Sequence, residues 1–298
     1  MKKKTSFSTK GQRADIGDLT IYRILANRYA DAVGPFVLLD HIIPRLNPSA
    51  MNTGTGAHPH RGIATLSYML EGEDEHFDSV GNYAKVYSGG IQWMKAGNGV
   101  IHDETIRVDS TTGTNRIHGF QFWINLPSKN KAEKPEYLAI ERNEVPQKAL
   151  PNESGWIKVI AGDYFNLHSK IPNYSAQFLY HILLEPGKSF TIFVDENVEV
   201  AAFLPTQDTT LNDARFGAGE FVEFDRNAGE ITIENTLQEA TDILLFGGEP
   251  YAEPIVAEGP FVMNSQAEIA EAYQEYFAGK YGKIHPPKTS VSIEPGTK

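Results

Sequence analysis

His58-Pro59-His60-Arg61-Gly62, answered further along by His102-Asp103-Glu104, is the stretch on which the reading of this chain turns. Each half places two metal-liganding side chains at a spacing of two residues. Side chains on a β-strand alternate faces with period two, so both members of each pair point the same way. Two such strands facing each other bring His58, His60, His102 and Glu104 to one point. A mixed nitrogen and oxygen donor set suits iron and similar divalent ions, whereas thiolates select zinc or iron–sulfur clusters. The chain has no cysteine, so any metal has to be held by histidine and carboxylate.

The whole chain sets the limits. Its 298 residues are enough for one large or two ordinary domains, and 41% hydrophobic with 22% charged is a globular composition. Zero cysteines exclude disulfides. No apolar run approaches the ~18 residues of a membrane-spanning helix. Met1-Lys2-Lys3-Lys4 is basic, but no apolar stretch follows, so it reads as a solvated tail and not as a secretory signal. A cytoplasmic protein is the expectation. The net charge of −11, with no long basic cluster, argues against direct nucleic-acid binding.

Strand-like runs recur at short intervals, among them Thr20–Leu25, Phe36–His41, Ile63–Leu70, Gly119–Asn125, Trp156–Ala161, Phe178–Leu184, Val198–Leu204 and Thr241–Phe246. Gly, Asn, Asp and Pro separate them, as in Val80-Gly81-Asn82. Many short strands with turns between them imply an all-β sandwich or barrel. The proline-, lysine- and glutamate-rich segment Lys129–Asn152 reads as a surface strap. It divides the chain into 1–135 and 136–298, two β-rich halves that suggest a structural duplication. Residues 1–15 and 286–298 read as loose termini. One helix is expected near 266–280. Ser265-Gln266-Ala267-Glu268 is a capping-box pattern, and Ile269, Tyr273, Tyr276 and Phe277 form an apolar stripe before Gly279 and Gly282.

A lone histidine is more often structural than functional, and His41, His118, His168, His181 and His285 are read that way. His76, in Glu75-His76-Phe77-Asp78, reads as turn-exposed, with a place beside the metal as the other option. His58, His60 and His102 differ because they belong to same-face pairs. Pro59 stiffens the first pair. Gly62, Gly97 and Gly99 permit close backbone approach. Ile91-Gln92-Trp93-Met94 offers a wall that excludes water. Structural histidines filling a barrel interior are the competing reading.

Several long runs resemble the pirins, members of the cupin superfamily. They are His58-Pro-His-Arg-Gly-Ile-Ala-Thr-Leu-Ser-Tyr-Met-Leu-Glu-Gly72, Glu75-His-Phe-Asp-Ser-Val-Gly-Asn82, Gln92-Trp-Met-Lys-Ala-Gly-Asn-Gly-Val-Ile-His-Asp-Glu104, and His118-Gly-Phe-Gln-Phe-Trp-Ile-Asn-Leu-Pro127. Gly259-Pro-Phe-Val-Met-Asn264 is similar to the family's closing motif. The resemblance covers nearly the whole chain. It implies two cupin (jelly-roll) β-barrel domains and a C-terminal helix, with the metal in the N-terminal barrel and no metal set in the second. The family's ligands fall on His58, His60, His102 and Glu104. Iron(II) is the implied ion, with Mn, Ni, Co, Cu or Zn as alternatives. The implied activity is a metal-dependent dioxygenase on a flavonol such as quercetin, with Glu104 taking the substrate's proton. The alternative is a non-catalytic, iron-dependent regulatory protein that binds a protein partner. One departure stands out: Ala64 occupies the position where cupins, and most pirins, carry glutamate.

Overall fold

Short alternating strands with Gly, Asn and Asp between them cannot bury both faces alone, so they pair into sheets that stack. The computed structural model describes residues 1–16, 19–26, 32–46 and 54–285. Among these residues the sheets assemble two cupin barrels, followed by one C-terminal helix. The first barrel has a seven-stranded sheet in the order Glu136–Ile140, Ile91–Lys95, Ile63–Glu71, Arg116–Asn125, Phe36–Leu46, Leu19–Leu25, Gln12–Ile16. Its second sheet orders His58–His60, Val100–Arg107, Glu73–Asp78 and Tyr83–Val86. The second barrel repeats the plan, again with a seven-stranded and a four-stranded sheet.

Alternation along each strand decides what the two faces meet. In the second barrel, Val200, Ala202 and Leu204 join Ile182, Ile243 and Leu245 in an apolar cluster inside the barrel. The intervening Ala201 and Phe203, with Leu244 and Phe246, pack outward against the first barrel. Phe246 meets Phe36 edge-on at 5.3 Å and Phe122 at 5.4 Å. The main core therefore lies between the two seven-stranded sheets and joins the barrels. The first barrel uses its outward face for that core, through Ala64, Leu66, Tyr68, Phe120 and Phe122. Its inward face carries Ser67, Gln92, His60, Asp74, His76, His102 and Glu104, all buried.

Two segments read as irregular are in fact paired. Thr5–Thr9 pairs with Glu220–Phe224 and so completes the second barrel's sheet. Lys3 is buried, and its Nζ donates to the Asn227 carbonyl at 2.8 Å. The N-terminus up to Thr9 is thus held in a sheet instead of loose, because backbone pairing outweighs its polar side chains. Residues 286–298 lie outside the described residues. The strap between 129 and 152 contributes Glu136–Ile140 to the first sheet and Gln147–Ala149 to the second. Both are edge strands, where charged residues blunt pairing with other chains, and this charge hid them from a composition-based reading. The helix spans Gln266–Phe277 and is capped by Ser265, whose side chain accepts from the Glu268 amide at 3.3 Å. Ile269, Tyr273 and Tyr276 pack on Phe261, Met263 and Ile101, while Phe277 is 79% exposed.

His41 and His118 are buried at the junction of the barrels, with their Nε2 atoms 2.9 Å apart. His41 also stacks on Phe120. Burial, followed by the nearby His118, pushes the His41 pKa down to about 3. Burial likewise lowers His118 to about 4. The unfolded chain therefore takes up protons below pH ~6.5 that the folded chain refuses, and stability is lost as pH falls through that window. Each extra proton held by the unfolded state costs about 1.4 kcal/mol per pH unit. His41→Phe is expected to flatten the fall in urea midpoint between pH 6.5 and pH 4. An unchanged pH slope in that variant would refute this origin.

Candidate metal centre

The two histidine strands meet in antiparallel register, His102 opposite His58 and Val100 opposite His60. The strand Val100–Arg107 continues along Glu73–Asp78, with Glu104 opposite His76. Period-two alternation then sends His58, His60, His102, Glu104 and His76 toward one region of the barrel. Ring nitrogens of His58, His60 and His102 lie within 4.8 Å of one another. The Nε2 atoms of His58 and His102 are 3.0 Å apart. Backbone carbonyls fix two of the three tautomers. The Nδ1 of His58 donates to Gly56 O at 2.7 Å, and that of His60 donates to Pro260 O at 3.1 Å. Each leaves its Nε2 unprotonated as a lone pair facing the cluster, the arrangement that orients metal-ligating imidazoles.

Glu104 stands beside this trio, not among it. Its Oε2 accepts from Gln121 Nε2 at 2.8 Å and its Oε1 from Ser67 Oγ at 3.2 Å. It forms a second cluster with His76 and His102, also within 4.8 Å. The Nδ1 of His102 is 3.9 Å from Glu104 Oε1, and the Nδ1 of His76 is 4.0 Å from it. His102 is thus common to both clusters. His76 is not at an exposed turn: it is 1% exposed, stacked 4.4 Å from Tyr137, with Nε2 3.4 Å from Asp78 Oδ2. The setting Glu75-His76-Phe77-Asp78 reads as turn-exposed in the sequence. The signal against that was period two, which turns Asp74, His76 and Asp78 inward together.

The residues present fit a metal ion. His60 Nε2, His102 Nδ1 and His76 Nδ1 are buried with no protein hydrogen-bond partner. A bare buried polar atom costs about 1–3 kcal/mol unless something satisfies it. Burial, reinforced by His58 and opposed by the Pro260 carbonyl, pushes the His60 pKa down to about 3. Burial, reinforced by His60, His58 and His76, holds His102 well below its ordinary value. Both rings are therefore neutral at neutral pH, the form a metal requires.

A cavity of about 350 Å³ opens onto His58, His60 and Glu104, walled by Ile16, Trp123 and Pro260. The C-terminal segment forms part of this wall, a role the sequence did not disclose for it. Arg61 pairs with Glu275 of the helix and lies 3.3 Å from the Tyr281 hydroxyl. Lys131, buried, donates from Nζ to Gly62 O at 2.7 Å, Val262 O at 2.8 Å and Asn125 Oδ1 at 2.5 Å. Ala64 belongs to the core between the barrels together with Leu66 and Tyr68, on the face opposite Ser67. The absent glutamate at 64 therefore does not empty the site, because that side chain points away from it.

A family model described as Pirin matches residues 19–124, and one described as Pirin C-terminal cupin domain matches residues 179–282. The chain belongs to the pirin family. Pirin-1 of Arabidopsis thaliana is 33% identical to it over 253 residues, 83% of each chain. A crystal structure of quercetin 2,3-dioxygenase from Acinetobacter baumannii is similar at 31% identity and a TM-score of 0.87, over 96% of this pirin and 100% of that chain. The bacterial pirin YhhW from Escherichia coli, solved in complex with nickel(II), shares the fold at 21% identity and a TM-score of 0.63, over 82% of this chain and 99% of its own. Truncating the residue common to both clusters in this pirin should have the largest effect. His102→Ala is expected to abolish stoichiometric metal in elemental analysis of untagged protein, and His60→Ala to weaken it severely. His76→Ala should keep the ion. Metal retained in His102→Ala would refute the three-histidine site.

Proposed function

We propose that this pirin is a metal-dependent dioxygenase that opens a flavonol such as quercetin. One observation carries the reading: a buried carboxylate, Glu104, flanks both the histidine trio and the cavity. The similarity to a structure titled quercetin 2,3-dioxygenase supports the same substrate class. His58, His60 and His102 would hold the ion through ring nitrogens, with Glu104 as the fourth ligand or the proton acceptor. Iron(II) is the ion we favour, since an N/O set without thiolate suits it, and Mn, Ni, Co, Cu and Zn are the alternatives. Such an ion lowers the pKa of a bound hydroxyl and activates dioxygen.

The chain's own residues supply the rest. Trp123, Ile16 and Pro260 give a flat aromatic ligand an apolar wall, and about 350 Å³ is within the usual range for small-molecule sites. Glu104 accepts the flavonol 3-hydroxyl proton at a carboxylate oxygen. Gln121 and Ser67 hold that carboxylate in place before and after the transfer. Both atoms of dioxygen end in the ring-opened ester and carbon monoxide leaves, so no external reductant is consumed.

Anaerobic loading with each metal in turn, followed by quercetin and air, tests the reading. The expected result is loss of the flavonol absorbance with carbon monoxide release. Glu104→Gln should lower kcat by about 10²–10⁴-fold, the usual scale of a general base, while the protein still binds quercetin. Full metal occupancy with no quercetin consumed by any ion would overturn the proposal.

A further inference from the structure

A second and larger cavity, about 570 Å³, lies between the barrels, away from the histidine trio. Two of its carboxylates are already matched. Glu71 pairs with Arg116 at 3.0 Å. Asp242 Oδ1 accepts from His181 Nε2 at 2.9 Å, which leaves His181 Nδ1 to accept from the Tyr68 hydroxyl at 2.7 Å. Two cations lining the same cavity are not matched. Neither Arg142 nor Lys158 has an ion pair or hydrogen-bonded acceptor for its side chain among the described residues. Lys158 is only 8% exposed, on a strand, with its Nζ 5.0 Å from the Trp156 ring centroid. Arg142 packs its stem over Gly89, where even a methyl group would meet Arg142 Cγ and Cδ at 2.8 Å. Burial, and then the Arg142 guanidinium, lower the Lys158 pKa, with Asp242 opposing more weakly. Two positive groups, one nearly buried, thus line one cavity with no carboxylate hydrogen-bonded to either among the described residues.

We propose that this inter-barrel cavity binds a small aromatic carboxylate, its oxyanion held between Arg142 and Lys158 and its ring against Trp156. The guanidinium suits the planar, two-oxygen geometry of a carboxylate. The volume is far more than an inorganic anion needs, and Leu70, Pro44 and Pro205 give the ring apolar wall beside Trp156. The site shares no lining residue with the cavity at the metal centre and requires no turnover. Its fate is therefore independent of the dioxygenase reading.

Benzoate, titrated into the full chain, is the probe, with benzamide as its neutral counterpart and inorganic phosphate as the bare oxyanion. Calorimetry should show saturable benzoate binding that weakens with added salt, accompanied by a change in tryptophan fluorescence that disappears in Trp156→Phe. Arg142→Gln alters an exposed side chain and should fold normally; it and Lys158→Met should each weaken benzoate by about tenfold or more, the scale of one charge-assisted hydrogen bond. Benzamide should bind far more weakly than benzoate. Equal binding of benzoate and benzamide, phosphate binding tighter than benzoate, or unchanged benzoate affinity in Arg142→Gln would each overturn the proposal.

Discussion

The register that sets His102 opposite His58 decides whether the histidine cluster exists at all. A slip of one residue in that pairing would turn every side chain of one strand to the other face. His58 and His60 would then face away from His102, and no cluster would exist. The chain guards the register at the exit of the histidine strand. Gly62 N donates to Gly97 O at 2.9 Å and Ala96 N to Ile63 O at 2.8 Å, pinning the exit. Gly62 itself, at φ +83°, lies so close to Val262 that a Cβ would fall 2.0 Å from its carbonyl oxygen. Only glycine fits there, and Lys131 ties the Gly62 and Val262 carbonyls together. The C-terminal segment is thus part of what fixes the candidate metal centre, and Pro260 from that segment orients His60.

The two barrels have one plan and opposite interiors. In the second, the inward faces of Val200, Ile182, Leu245 and Ile231 fill the space with apolar side chains, and the interior is a core. In the first, His60, Asp74, His76, Gln92, His102 and Glu104 face inward beside a smaller apolar cluster of Ile21, Ile42, Met69 and Ile106, and the polar part of the interior is the candidate site. Burying those polar groups is expensive, and Asp74 shows how expensive. Its carboxyl oxygens have no hydrogen-bond partner among the described residues, and burial, then the nearby Glu104, drives its pKa well above the ordinary carboxylate range. Most of the apolar packing lies outside the barrel, in the shared core where Phe36, Phe122 and Phe246 meet, with a smaller apolar cluster inside it around Ile42 and Met69. The shared core and the candidate site thus lie on opposite faces of the same strands.

This separation explains what could be read from the chain alone. The strand runs, the helix and the same-face histidine pairs are local, because periods of two and 3.6 residues are written in consecutive positions. What pairs with what across the chain is not local. Thr5–Thr9 looks like a polar tail until Glu220–Phe224 supplies its partner strand. His76 looks exposed until Glu104 stands opposite it. Pro260 and Arg61 acquire roles only when the helix folds back on the first barrel. The departure at position 64 acquires its meaning the same way: a family pattern records which residue is usual, while the parity of the strand decides where it points.

That parity also links the two cavities. Ser67 and Tyr68 are neighbours on the strand Ile63–Glu71 and face opposite ways. Ser67 holds Glu104 at the metal centre, and Tyr68 donates to His181 at the inter-barrel cavity. The strand sits inside the seven-stranded sheet, paired along both edges by Ile91–Lys95 and Arg116–Asn125. The neighbour Arg116–Asn125 carries the same division, with Gln121 on Glu104 and with Phe120 and Phe122 in the shared core. The hydrogen bonds that fix the carboxylate therefore arise from the same two strands whose other faces join the barrels. The strands that hold Glu104 on one face carry the second barrel on the other, so both barrels share the framework around the candidate site.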